Sequence, residues 1–405
     1  MEKVVSELFG TDQNPQSLSV QFYALSISKL FKDIGTGMLA FLLPLYIIHL
    51  HSSNFDAVPL IVKAGVIATV FGLSNALSQP FMGRFTDKLN QRKPFLLVGL
   101  AAFTILSVLY ANTRSFEIVV ILRMVQGVSV AVMVPAIISM VTHLSTSHTR
   151  GKAIGLYSSI RGLGFGSGSI IGGFIVDHYS FTLAFYLCAF LGLLSTLLIY
   201  FFVDETYGSA NDKKQLSKTQ KDNYQFTILA IAIFAMMVGI MVIFAFLPEY
   251  ESRLNATKLS LSIAVSAYVL IRVIFQAPIG ILSDKFGRKN ILALGLLINI
   301  PIIIGLGQVE GIGMLIALRA AQGMSMAAVE TPLMALAVEL TGGSSVGSKV
   351  SIITASQAAG MAIGPLLGGF LGAYVSFETP FNICGIMMLL SFFLVLLKIK
   401  EPAKY

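Results

Sequence analysis

The sequence predicts an all-α integral membrane protein, with twelve transmembrane helices arranged as two pseudo-symmetric six-helix bundles. Three observations carry that prediction. The 405 residues are 55% hydrophobic and only 12% charged, whereas an ordinary soluble domain is about 25% charged. Twelve apolar runs are long enough to cross a hydrocarbon core roughly 30 Å thick, because a helix rises about 1.5 Å per residue. Much of the first half returns in the second at a nearly constant offset of 196 residues.

The runs lie at 22–48, 58–82, 95–111, 116–142, 153–176, 181–203, 226–247, 260–283, 290–308, 312–339, 350–373 and 378–398. The first follows the polar stretch "TDQNPQSLSVQ", contains Lys29, Lys32 and Asp33, and lacks a small-residue cleavage site. It is therefore expected to stay in the mature protein and not to be removed as a signal peptide. The longest polar stretch, Asp204 to Gln225, divides six runs from six. It sets an N-terminal half at 1–206, a linker at 207–225 and a C-terminal half at 226–405.

Lysine and arginine fall on alternate loops. Arg84, Lys88, Arg92 and Lys93 follow the second run, Arg150 and Lys152 the fourth, Lys213, Lys214, Lys218 and Lys221 the sixth, Lys285, Arg288 and Lys289 the eighth, and Lys398, Lys400 and Lys404 the last. The opposite loops carry chiefly Arg114, Arg253 and Lys258. The positive-inside bias then places both termini in the cytoplasm of a multi-pass cell-membrane protein. The net charge of +8 is read as topology, and nucleic acid is not expected as a partner because no soluble domain carries a basic patch. Cys188 and Cys384 have no metal or redox spacing, and the five histidines fall in or beside loops, so no metal or other cofactor is expected. No His-Glu-x-x-His, Gly-x-Ser-x-Gly or Gly-Lys-Ser/Thr pattern occurs, which argues against an enzyme or a nucleotide-driven machine.

The internal repeat is specific. "RMVQGVSVAV" from Arg123 matches "RAAQGMSMAA" from Arg319, pairing Gln126 with Gln322 and Gly127 with Gly323. "GFGSGSIIGGF" from Gly164 pairs with "GMAIGPLLGGF" from Gly360, so that Gly168 corresponds to Gly364 and Ser169 to Pro365. "GRFTDKLNQRK" from Gly83 pairs with "GILSDKFGRK" from Gly280 at an offset of 197, because Asn90 and Gln91 stand where the second copy has Gly287 alone.

The G-x-x-x-D-x-x-G-R-K loop resembles the loop signature of the major facilitator superfamily, with Gly280, Asp284, Gly287 and Arg288 in the second copy and Gly83, Asp87 and Arg92 in the first. R-x-x-Q-G at Arg123 and Arg319 resembles a further motif of that family. GxxxGPxxGG resembles the motif of drug:proton antiporters, complete with Pro365 in the eleventh helix and carrying Ser169 in the fifth. The resemblance implies a secondary transporter that works as a monomer in the lipid bilayer, with a small-molecule substrate and protons as partners. It further implies that helices five and eight, and two and eleven, adjoin across the seam between the halves, with substrate bound near the midplane. Gly164, Gly168, Gly360, Gly364 and Pro365 are then expected to form a packing seam between moving halves. Asp87 and Asp284, among basic residues at the ends of helices two and eight, are expected to form a latch that breaks when the halves rock.

Ionisable residues inside the spans cost about 2.5 to more than 10 kcal/mol if they face lipid, so each needs a cavity or a partner. They are Lys29, Lys32, Asp33, Arg123, Arg161, Arg272, Arg319 and Glu330. Arg272 is about 18 Å of helix from Asp284, and Arg161 about 14 Å from Lys152, so both lie near the midplane. Through the repeat, Arg161 corresponds to Gln357 and Arg272 to Asn75, which gives one seam two arginines and the other two amides. The arginines either form a cationic wall for an anionic or zwitterionic substrate or pair internally with Glu330 or Asp33. Asp33 is four residues from Lys29, close enough to be neutralised by it, and it stands with Glu330, Arg123 and Arg319 as an expected proton-coupling residue. Arg319 and Glu330 are eleven apart, about 20° around a helix, so Glu330 serves either as a proton carrier or as a fixed partner of Arg319. A carboxylate that alternates between a desolvated setting and an arginine can load and release a proton. The leading expectation is proton-coupled export of a small anionic or zwitterionic solute, such as a metallophore or drug. The rivals are proton-symport uptake of an organic anion and a non-transporting membrane sensor.

Overall fold

A computed structural model describes residues 20–53, 55–89, 91–145, 150–205, 224–340 and 346–399. These form twelve helices long and apolar enough to cross a membrane. They are α1 (Val20–Tyr46), α2 (Leu60–Leu89), α3 (Lys93–Asn112), α4 (Phe116–His143), α5 (Arg150–His178) and α6 (Phe181–Phe202) in the first half. In the second are α7 (Tyr224–Met241, resumed after one residue as Ile243–Arg253), α8 (Lys258–Phe286), α9 (Arg288–Leu306), α10 (Ile312–Glu339), α11 (Val346–Tyr374) and α12 (Thr379–Lys398). Among the described residues there is no β-strand, and most of the proposed 207–225 linker lies outside them.

Local chemistry explains the helix ends. Ser115, Ser180 and Thr257 are extended residues whose hydroxyls accept from Ile118, Leu183 and Ser260 amides, capping α4, α6 and α8. Gly287 has φ 97°, a left-handed setting that glycine adopts without steric cost. That one residue joins α8 directly to α9, which is why the second copy of the loop is shorter than the first.

Two helices run through the middle of the bundle. In α7, 83% of the most apolar window is buried, and in α1 72%, against 28% in α2 and α8. The rims of the bundle expose residues such as Leu77, Phe81, Ile281 and Leu397, the apolar surface that a bilayer requires. Cys188 and Cys384 are both buried and free, as small apolar packing requires.

The halves meet on two antiparallel seams, α5 with α8 and α2 with α11. Glycines mark the contact levels. A methyl group on Gly166 would come 2.9 Å from Leu270, and one on Gly173 within 2.7 Å of the Lys258 carbonyl. On the other seam, a methyl on Gly72 would sit 3.0 Å from Ala362, and one on Gly369 3.1 Å from Val62. The segment after the break in α7 also packs on α1 and α2. These contacts run from the midplane to the end opposite the basic loops, whereas Gly155, nearer the basic end of α5, has open space beside it.

The expectation that the GxxxG glycines themselves form the seam between halves is corrected. Gly164 and Gly168 press on Leu30, Asp33 and Ile34 of α1, and Gly360 and Gly364 on Phe234, Met237 and Val238 of α7, each within its own half. The physical reason is helical register. Residues four apart define one face, and that face is turned to the central helix, while Gly162 and Gly166, two residues out of phase, face α8. Pro365 is the exception, its carbonyl lying against Gly65 of α2 across the seam.

Candidate functional site

The antiparallel register, with Gly162 on Val273 and Gly166 on Leu270, brings Arg161 and Arg272 to one level of the α5/α8 seam. The α2/α11 register, Gly72 on Ala362, brings Asn75 and Gln357 to the same relation on the other seam. Two arginines on one side and two amides on the other therefore frame the midplane, in the arrangement that the repeat implied.

In the second half, Arg272 Nη1 donates to Glu330 Oε2 at 3.1 Å, and both side chains are 16% exposed. Gln357 Nε2 donates to the other oxygen, Oε1, at 3.3 Å. Glu330 is thus held from α8 and α11 at once. Among the described residues Arg272 Nε is buried and makes no hydrogen bond. Gly323 accounts for the placement: a methyl there would meet the Tyr268 carbonyl and come 3.2 Å from the Arg272 amide. The small residue of R-x-x-Q-G lets α10 approach the stretch of α8 that carries the arginine.

Arg319 does not pair with Glu330, and the expectation of an Arg319–Glu330 pair is corrected. Eleven residues put both on one face but about 16 Å apart along the axis, too far for a bond. Arg319 is fully buried, bonds Gln322 Oε1 at 2.5 Å and lies 4.6 Å from the Tyr268 ring centre. Its repeat partner Arg123 bonds Gln126 Oε1 at 3.0 Å and lies 5.1 Å from the Phe71 ring. Both are thus held by a carboxamide and lie over an aromatic ring inside their halves, and neither has a carboxylate partner among the described residues.

In the first half, Asp33 on α1 is buried between two ammonium groups, Lys29 and, at 3.3 Å, Lys32. Lys29 also lies 5.8 Å from the Tyr157 ring centre. Gly164 packs on the Asp33 Cβ, and Arg161 is one turn earlier on the same helix, exposed and without an ion pair among the described residues. Sequence reasoning noted Lys32 but gave it no role. The missed signal is its place next to Asp33, which lets both lysines reach a single carboxylate. At the midplane four cations, Lys29, Lys32, Arg161 and Arg272, accompany two carboxylates, Asp33 and Glu330.

At the basic end several bonds of the loop motifs stay within one half. Asp284 Oδ1 accepts from Arg288 Nη2 at 3.1 Å, and Arg288 Nη1 reaches Glu339 at 2.7 Å, which ties the ends of α8, α9 and α10 together. Arg92 is buried, donates to the Thr86 carbonyl at 2.7 Å and to Ser139 at 3.0 Å, and gives its amide to Glu205 at 2.6 Å. Gly83 and Gly280 lie near Pro135 and Thr331 of the neighbouring helix, with ordinary contacts. The side chain of Asp87 lies outside the described residues.

Two six-helix halves that meet on antiparallel seams, with Arg161, Arg272 and Glu330 gathered near the midplane where they meet, define a membrane transporter. The profile of the Major Facilitator Superfamily matches residues 25–254 and again 229–405, and the chain belongs to that superfamily. It is a secondary transporter and not an enzyme. It is 25% identical to a quinolone resistance protein, NorA, of Staphylococcus aureus over 264 residues, 64% of this chain and 66% of that relative, so the match spans just under two thirds of that protein. An MFS-type transporter of Methanocaldococcus jannaschii is 24% identical over 297 residues, 71% of this chain and 72% of its own. Among solved structures, a bacterial homologue of the human lysosomal transporter Spinster, inward-facing and occupied, superposes with a TM-score of 0.77 at 16% identity, covering 94% of this chain and 98% of that one. The human organic anion transporter MFSD10 superposes with a TM-score of 0.69 at 17% identity, covering 93% and 98%.

Proposed function

We propose that the protein exports a small zwitterionic or anionic organic solute from the cytoplasm across the cell membrane in exchange for protons, working as a monomer with both termini cytoplasmic. The observation that carries this reading is the surplus of cations at the midplane, four against two carboxylates among the described residues, with Arg161 exposed and without an ion pair among them. Metallophores and amphiphilic drugs have the required charge, and the resemblance to a quinolone resistance protein supports the outward direction.

The Arg272–Glu330 pair suggests how cargo and proton exclude each other. A zwitterion laid across the seam gives its anionic group to Arg161 or Arg272 and its cationic group to Glu330, which must then be a carboxylate. Proton and substrate compete for one oxygen pair, and competition of this kind couples the two fluxes in opposite directions. Arg272 and Gln357 both bond Glu330, and these are the contacts that the cargo's cationic group would replace.

The same pair favours a second reading if the solute is a simple anion. An anion that draws Arg272 away leaves Glu330 in an apolar setting without its cation, where the neutral form is favoured. Proton and anion then load together, as in symport.

Transport into inside-out vesicles distinguishes the two. An interior-acid gradient should drive accumulation of zwitterions under antiport, whereas an exterior-acid gradient should drive accumulation of anions under symport. Failure of either gradient to move any member of a panel of zwitterions, anions and cations would remove proton coupling from the account.

A further inference from the structure

Asp177 lies in the last turn of α5, at the end opposite the basic loops. Its Oδ1 accepts from the Lys258 amide at 3.0 Å and its Oδ2 from the Leu259 amide at 2.7 Å. These are the first two backbone N–H groups of α8, which belongs to the other half. The third, Ser260, is satisfied by Thr257 Oγ1 at 3.2 Å. A helix N-terminus leaves four such donors open and carries a partial positive charge, so a carboxylate there is doubly favoured.

Its own helix gives Asp177 no such support. A carboxylate near a helix C-terminus opposes the macrodipole, so its position in α5 makes sense only through the partner helix. The Lys258 ammonium is engaged by Glu251 at 2.8 Å and lies 5.9 Å from the Phe181 ring centre, which leaves the Asp177 carboxylate to the amides. Just below, Gly173 seats against Ser262 and the Lys258 carbonyl, and Ser266 Oγ donates to the Gly166 carbonyl at 2.7 Å. Asp177 thus caps a continuous zip between α5 and α8. The other seam is built without this device: the repeat places Ala373 at the corresponding position of α11.

We infer that Asp177 is the positioning residue of the gate at the non-basic end: its carboxylate holds α8 of one half to α5 of the other while the transporter is open toward the basic end, and it must let go for the opposite state to form. No step of this depends on the cargo or on the coupling ion, so the latch and the proton-antiport reading stand or fall separately.

The test is a distance distribution between spin labels on the full chain in nanodiscs, at Tyr179→Cys and Ser252→Cys. Tyr179 is 70% exposed and Ser252 also exposed, one on each half beside the latch, while Cys188 and Cys384 are buried. The parent should give predominantly the short distance. Asp177→Ala should raise the long-distance population severalfold, and Asp177→Asn, which keeps one oxygen acceptor but loses the charge, should fall between. An unchanged distribution in Asp177→Ala would overturn the assignment, as would a lower melting temperature without any shift in populations, since that describes a structural cap only. Should the alanine variant fail to fold, the asparagine variant decides by the same two outcomes.

Discussion

Arg272 of α8 and Glu330 of α10 form a partly buried ion pair at 3.1 Å, and Gln357 of α11 takes the remaining carboxylate oxygen. Three helices of the second half thus converge on one acidic side chain at the level where the first half presents Arg161.

Breaking that pair from one side leaves a charge in the interior without its partner. Arg272→Gln should lower stability by about 3 kcal/mol, in the range measured for one-sided disruption of buried pairs. The double variant Arg272→Gln, Glu330→Gln should regain most of it. Thermal melting of the purified protein in detergent checks both.

Glu330→Gln removes the proton-accepting oxygen and keeps the shape. Proton-driven accumulation should vanish while solute exchange continues, and transport should no longer vary with pH in the range where the parent responds. Counterflow and gradient-driven assays on the same vesicles make the comparison.

Under the proposed function Arg161, exposed and without an ion pair among the described residues, receives the anionic group of the cargo. A charge-assisted hydrogen bond is worth about 1.5 to 3 kcal/mol, so Arg161→Gln should weaken substrate binding about ten- to a hundredfold. Lysine should restore only part of that, because it offers a point charge in place of a planar fork. Equilibrium binding of the transported solute reads both effects.

The glycines separate packing from open space. Gly168→Ala drives a methyl into the Ile34 backbone of α1, which cannot yield as a flexible side chain does, and should cost several times the roughly 1 kcal/mol of an ordinary helix substitution. Gly155→Ala meets nothing within 4 Å and should stabilise α5 by about 0.5 to 1 kcal/mol, the usual difference between the two residues in a helix. Melting temperatures of the two variants should move in opposite directions.

The twelve spans and the duplication were legible because apolar length and repeat register are properties of the chain itself. The α10 run at 312–339 coincides with the helix, while α2 runs on to Leu89, past its apolar run, because the polar loop motif continues the helix beyond the membrane. The two seams and the level of Arg161 and Arg272 were also legible, through the repeat and the family resemblance together. Partner choice was not. Helical phase put Arg319 and Glu330 on one face, but phase carries no information about the distance along the axis, and it took α8 to supply the true partner. The GxxxG spacing announced close approach without saying which neighbour approaches. Asp177 was invisible for a related reason, since it caps a helix eighty residues away in sequence.

The central claim is that cargo and proton compete at Glu330, and proton counting on substrate binding tests it most directly. Adding the transported solute to the purified protein in weak buffer, at a pH low enough to protonate Glu330 and break its pair with Arg272, should release protons, with the release absent in Glu330→Gln. Uptake of protons on binding, or binding with no proton change in the parent protein, would contradict the antiport account.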